Sequence, residues 1–185
     1  MERAKEEYAV VLDFLQYGHP FDKRPAHRKT PIAQAIGRDH LVLLELVPKK
    51  GIFLQPHEEI YIGDGKRDKI HHISGKITLD QLTETAKNEL SFIIKEFVMK
   101  NEQKYVSFFN KSNPINARMH QIELLPGIGK KHMWEIIEIR KEKEFESFED
   151  IKNRVKLIPS PEKVIIKRIM QELEGKEKHH LFVDV

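Results

Sequence analysis

The chain has 185 residues, no cysteine, 39% hydrophobic residues and 33% charged ones, against roughly 25% charged in an average soluble protein. This length allows one large domain or two small ones, and the missing cysteine excludes a disulfide framework, a thiolate zinc site and a cysteine nucleophile. The net charge is only +3, shared as 18 Lys/Arg against 16 Asp/Glu over residues 1–111 and 14 against 13 over 112–185, so any nucleic-acid contact must rest on local patches rather than bulk charge.

The N-terminal segment MERAKEEYAV is charged and has no apolar core, unlike a signal peptide. The apolar run Leu41–Val47 contains Glu45 and is too short to span a bilayer. The expectation is a cytoplasmic protein. Glu7–Tyr17, Ile32–Ile36 and His40–Val47 read as strands. Ile52–Gln55 and Glu59–Ile62 flank Pro56 as one bent strand. The tripeptide GDG at 63–65 suits a hairpin turn, with Lys69–Ile73 returning as its partner. Five or six short strands at this spacing predict a small barrel or sandwich over residues 1–77. Between the first two strands, three prolines mark Gly18–Pro31 as a long loop.

Composition changes at Thr78, where Thr78 and Gln81 fit a capping box. Leu79, Leu82, Ala86, Leu90, Ile93, Ile94 and Phe97 repeat at helical spacing, and Tyr105, Phe108 and Phe109 mark a second helix over 102–110. Residues 78–111 are therefore linking helices. KSNPIN, Lys111–Asn116, is the boundary, and an all-α domain follows over 112–185. In it, Ile115–Glu123 reads as a short helix and Lys130–Lys143 as a longer one. Ser147 caps another, and Ser160 with Pro161 opens a last one.

Leu125–Gly129, LPGIG, joins the first two of these helices. Gly127 and Gly129 allow backbone conformations closed to other residues and let a second backbone approach. The amides of Gly127, Ile128, Gly129 and Lys130 then stand at a helix N-terminus, where unpaired N–H groups attract an anion. Lys130 and Lys131 add charge. A Pro-Gly corner also serves as a plain helical hairpin, and spacing alone leaves both readings open. Pro159 and Pro161, in the later segment KLIPSPEKVIIKRIMQEL, have no N–H to offer. That segment reads as a degenerate partner whose Lys163, Lys167 and Arg168 retain weak contact.

LLPGIGKKHMWEIIEIR with the following FESFEDI resembles the helix-hairpin-helix motif of DNA-binding proteins. The resemblance implies that Gly127, Ile128, Gly129 and Lys130 grip a phosphate without reading sequence. It also implies a monovalent cation, K+ or Na+, on the carbonyls of Glu123, Leu125 and Ile128. YGHPFDKRPAHRKTPIAQAIG and NARMHQIELLPGIGKKHMWEI carry a likeness over the whole chain to the DUF655 family of uncharacterised archaeal proteins. That likeness implies a multidomain α and β protein, with an OB-like small β-barrel joined by linking helices to a helix-hairpin-helix domain. Family members are described as RNA-binding or nucleotide-binding.

Lys23, Arg24, Arg28 and Lys29 face one acid, Asp22, in the proline-rich loop. Beside an OB-like sheet they would line a wall for single-stranded nucleic acid, with Phe21 either stacking on a base or tucked into the core. Trp134 is expected to pack between the domains, with stacking on a base as the alternative. The histidines have no metal-ligand spacing, and the acids alternate with lysines as on a solvated face. The expectation is a non-catalytic RNA-binding protein in a ribosomal or RNA-processing setting. A DNA-repair accessory and a protein-interaction module are the alternatives.

Overall fold

The computed structural model describes residues 5–184, leaving the first four residues and Val185 outside. Five strands, β1 (Tyr8–Leu15), β2 (Ile32–Gly37), β3 (Leu43–Pro48), β4 (Glu59–Tyr61) and β5 (Ile70–Lys76), form one sheet in the order β4-β1-β2-β3-β5. Every pairing is antiparallel. Register shifts between Val11 and Asp13, and at two points along β3 and β5, curl the sheet into a half-barrel.

Ala9, Val11, Ala33, Ala35, Leu44 and Leu46 alternate along the first three strands and bury one face with Ile60, Ile62 and Ile70. The other face is covered too, since β2 is buried at every position and Val10 and Leu12 are also buried. The expected hairpin between the fourth and fifth strands is a correction. These strands occupy opposite edges, and the segment between them is an irregular loop tied by Arg67 Nε donating to the Gly63 carbonyl. Ile52–Gln55 is not a strand either.

The capping box at Thr78 and Gln81 is present but opens only a 3-10 turn, Leu79–Gln81. Helix α1 (Glu84–Lys100) starts after Thr83, whose hydroxyl accepts the Ala86 N–H and donates to Asp13. Helix α2 (Glu102–Lys111) follows. Ile115–Glu123 is not a helix, and this too is a correction. The Asn116 carboxamide accepts the Arg118 N–H, reversing the chain between β6 (Pro114–Asn116) and β7 (Met119–His120), and a 3-10 turn spans Gln121–Leu124. Three helices complete the chain: α3 (Lys130–Glu142), α4 (Phe148–Arg154) and α5 (Pro161–Leu173). Ser147 caps α4 by accepting the Asp150 N–H.

The chain divides into two compact units. One runs through Ile93 and resumes at Glu172, and the other is Ile94–Gln171. The division falls inside α1, between Ile93 and Ile94. The C-terminal tail belongs to the first unit. The buried Glu172 carboxylate accepts the N–H groups of Leu181, Phe182 and Val183, and Asp184 donates its N–H to the His40 carbonyl. No helix among the described residues is long and apolar enough to cross a membrane.

Candidate nucleic-acid interface

The corner before α3 is built by two successive turns. Leu125 donates its N–H to the Ile122 carbonyl, and Ile128 donates to the Leu125 carbonyl, each at 3.1 Å. Gly127 stands between them at φ +83°, a left-handed conformation that costs an L-residue roughly 1–2 kcal/mol. Gly129 is the residue before the helix, and its carbonyl accepts the Met133 N–H. Leu125, Ile128, Met133 and Ile136 are buried, which fixes the corner on a hydrophobic base.

Gly127, Gly129, Lys130 and Lys131 are exposed. Among the described residues no acceptor takes the N–H of Gly127, Gly129 or Lys130. Ile128 departs from the expectation. Its amide is spent on the Leu125 carbonyl and its side chain is buried, so it anchors the corner and presents nothing to solvent. The exposed amides left without an acceptor are therefore those of Gly127, Gly129 and Lys130, with the Lys131 charge beside them.

The carbonyls expected to hold a monovalent cation lie on the same turn. That of Leu125 already accepts the Ile128 N–H, and the buried Arg168 of α5 donates to the neighbouring Leu124 carbonyl at 3.0 Å. Arg168 is thus an internal tie rather than an exposed contact, and its positive charge competes with a bound cation there. Lys163 and Lys167 are exposed.

A second corner, Val155–Pro161, joins α4 to α5. Leu157 there is left-handed at φ +57° and 92% exposed. Its predecessor is clamped from α3: the Lys156 N–H is donated to the Glu135 carboxylate at 3.0 Å, and the Lys156 carbonyl is 3.2 Å from His132 Nε2. Pro159 comes close to the first corner, since a Cβ on Gly127 would lie 3.5 Å from Pro159 Cγ. The two corners thus form one body.

The basic loop lies in the other unit. Asp22 accepts from Nε and Nη2 of Arg24 at 2.7–3.0 Å, and these bonds hold the Asp22 carboxyl at about 2. Arg24 is therefore engaged inside the loop. Lys23, Arg28 and Lys29 have no ion pair among the described residues, and Lys23 and Arg28 are exposed. Phe21 is 92% exposed, so the core position considered for it does not apply. His19 pairs with Glu45 of β3 at 2.8 Å and pins the loop to the sheet.

Trp134 is 59% exposed and lines a cavity of about 480 Å³ between the β6–β7 ribbon and α3. Lys130 and Arg118 line the same cavity. Trp134 follows Lys130 by four residues, on one face of the helix. Among the described residues no group of three or more His, Asp or Glu side chains could hold a metal ion.

The family model for DUF655, a protein of unknown function, matches residues 5–184. The uncharacterised protein MJ0038 of Methanocaldococcus jannaschii is 46% identical over 180 residues, covering 96% of this chain and 80% of its own length. The crystal structure of Af1531 from Archaeoglobus fulgidus, a member of the same family, superposes with a TM-score of 0.86 at 49% identity. The match covers 96% of this chain and 99% of that one. With the family model matching nearly its whole length and two archaeal relatives close to half identical, this chain belongs to the DUF655 family.

Proposed function

We propose that this chain is a non-catalytic RNA-binding protein that grips phosphate through the corner before α3. One observation carries the reading: the N–H groups of Gly127, Gly129 and Lys130 are unpaired in an exposed corner at a helix N-terminus, with two lysines beside them. The two corners, each with a left-handed residue ahead of a helix, support a paired helix-hairpin-helix reading in which Pro159 and Pro161 leave the second corner fewer amides to offer. The half-barrel supports an OB-like reading, although its fourth and fifth strands do not close on each other. The loop between β1 and β2 is one of those that OB-folds use for oligonucleotides, and here it carries Lys23, Arg28, Lys29 and the exposed Phe21. A monovalent cation on Glu123, Leu125 and Ile128 stays part of the proposal as an auxiliary, in competition with Arg168.

Two contact surfaces on one chain gain affinity through effective concentration without a high net charge. Phosphate contacts do not distinguish ribose from deoxyribose, so a DNA-binding accessory is the second reading. The test is a salt titration of binding to RNA and DNA strands of matched sequence and length. Affinity that falls steeply with salt, with RNA bound more tightly, supports the proposal. Binding that ignores salt would instead mark the corner as a protein-docking element.

A further inference from the structure

The cavity beside α3 has the chemistry of a base pocket. Its volume, about 480 Å³, falls within the range of small-molecule sites. Trp134, Met119, Met133 and Ile137 supply apolar lining, and Trp134 is exposed enough for a planar ring to lie on it. A membrane-facing or core-like patch would lack charge, but three cations, Arg118, Lys130 and Arg140, line this cavity against one acid, Glu123.

Two polar groups are held rigidly by the surrounding chain. Arg140 donates to the carbonyls of Phe109 and Ser112 and to the Ser112 hydroxyl at 2.9–3.0 Å, so its positive charge is fixed in the wall. His120 accepts the Ile122 N–H on Nδ1 at 3.1 Å, which places the ring proton on Nε2. Burial, and next the charge of Arg140, lower the His120 pKa and keep the ring neutral. Lys130 belongs to both places: its backbone N–H is in the exposed corner, and its residue lines the cavity one helical turn before Trp134. A phosphate received at the corner would therefore deliver its own nucleoside to the cavity mouth.

We infer that this cavity receives one unstacked base of a single-stranded nucleic acid, stacked on Trp134, while the neighbouring phosphate lies on the corner at Gly129 and Lys130. The inference rests on the proposed phosphate grip and adds the substrate form: a single strand, loop or end rather than a continuous duplex, whose bases are not splayed outward. An apolar cavity with a cationic lining suits a base that carries a phosphate, and neither a lipid tail nor an acidic peptide uses both features.

Trp134 is the only tryptophan, so its fluorescence reports on the cavity directly. The full chain is titrated with hexauridylate and with an abasic strand carrying the same number of phosphates. Hexauridylate is expected to quench Trp134 and to bind about tenfold or more tighter than the abasic strand. Trp134→Ala should remove that difference with the salt slope unchanged, and Trp134→Phe should retain most of it. Equal, salt-sensitive binding of both strands, weakened alike by Gly129→Val, overturns the base pocket and leaves the phosphate grip standing. A base-dependent quench that Gly129→Val does not weaken supports the pocket and removes the grip. Binding of neither strand removes both.

Discussion

Gly127 and Leu157 share a left-handed backbone, at φ +83° and +57°, in the turns that lead into α3 and α5. At the first site glycine meets the conformation without steric cost. At the second a leucine bears it, 92% exposed, with its predecessor clamped by Glu135 and His132. Leu157→Gly should therefore relieve backbone strain of about 1–2 kcal/mol, partly offset by glycine's greater chain entropy. The expected result is an unchanged or slightly raised urea midpoint. Gly127→Ala should lower stability by about 1–2 kcal/mol, because the same strain is then introduced at the first corner. Urea unfolding of both variants checks the pair, and a clear loss in Leu157→Gly would show that the leucine side chain contributes despite its exposure.

Gly129 gives the cleaner test of the grip. Its φ of −93° is open to any residue, and a Cβ there meets nothing within 4 Å. Gly129→Val should leave the fold intact while its branched side chain shields the amides of Gly129 and Lys130. A several-fold loss of nucleic-acid affinity is expected at low salt. Lys130→Ala with Lys131→Ala should flatten the slope of log affinity against log salt by about one to two units. Gly127→Val is less informative, since its left-handed backbone would disturb the corner itself.

Much of this corner could be read in the sequence because its signals are local. The dipeptide Pro126-Gly127 makes a turn, Gly129 precedes a helix, and Ser147 caps the next one within a few residues of its target. What could not be read depends on distant partners. Arg168 looks like a surface cation on a helix, yet it is buried because its acceptor is the Leu124 carbonyl, 44 residues away in the chain. Ile115–Glu123 reads as a helix in sequence, but the Asn116 side chain offers the backbone a turn that competes with it. The fourth and fifth strands read as a hairpin because their neighbours in sequence are each other. Their hydrogen-bond partners are β1 and β3. The Trp134 cavity was missed because a helix spacing does not show what faces it.

His120 should make stability depend on pH. Burial and the Arg140 charge lower its pKa below the ordinary 6.5. As pH falls through 6.5, the unfolded chain takes up a proton on this ring before the folded chain does. Stability therefore declines from about pH 6.5 downward until the folded pKa is passed, and it is fully present above 6.5. His120→Asn retains an acceptor for the Ile122 N–H and cannot titrate. Between pH 7.5 and 5 the variant should lose less stability than the natural chain, by denaturant unfolding at each pH. Parallel curves for the two proteins would remove His120 as the titrating group.

The β1–β2 loop carries a built-in comparison of paired and unpaired cations. Arg24 is bound to Asp22 through both nitrogens of its fork, whereas Lys23, Arg28 and Lys29 have no ion pair among the described residues. A phosphate that recruits Arg24 must first displace a carboxylate, so Arg24→Ala should change binding less than Arg28→Ala. Arg28→Ala with Lys29→Ala should reduce the salt slope by up to about two units. Asp22→Asn should act in the opposite direction. It removes the single acid of the loop and releases Arg24, so affinity at low salt should rise severalfold and the slope should steepen by about one unit. Fluorescence anisotropy with a labelled RNA strand measures all four proteins under the same salts. A rise for Asp22→Asn together with a fall for Arg28→Ala and Lys29→Ala would place the loop on the strand. If none of the substitutions moves the slope, binding is carried by the α3 corner alone.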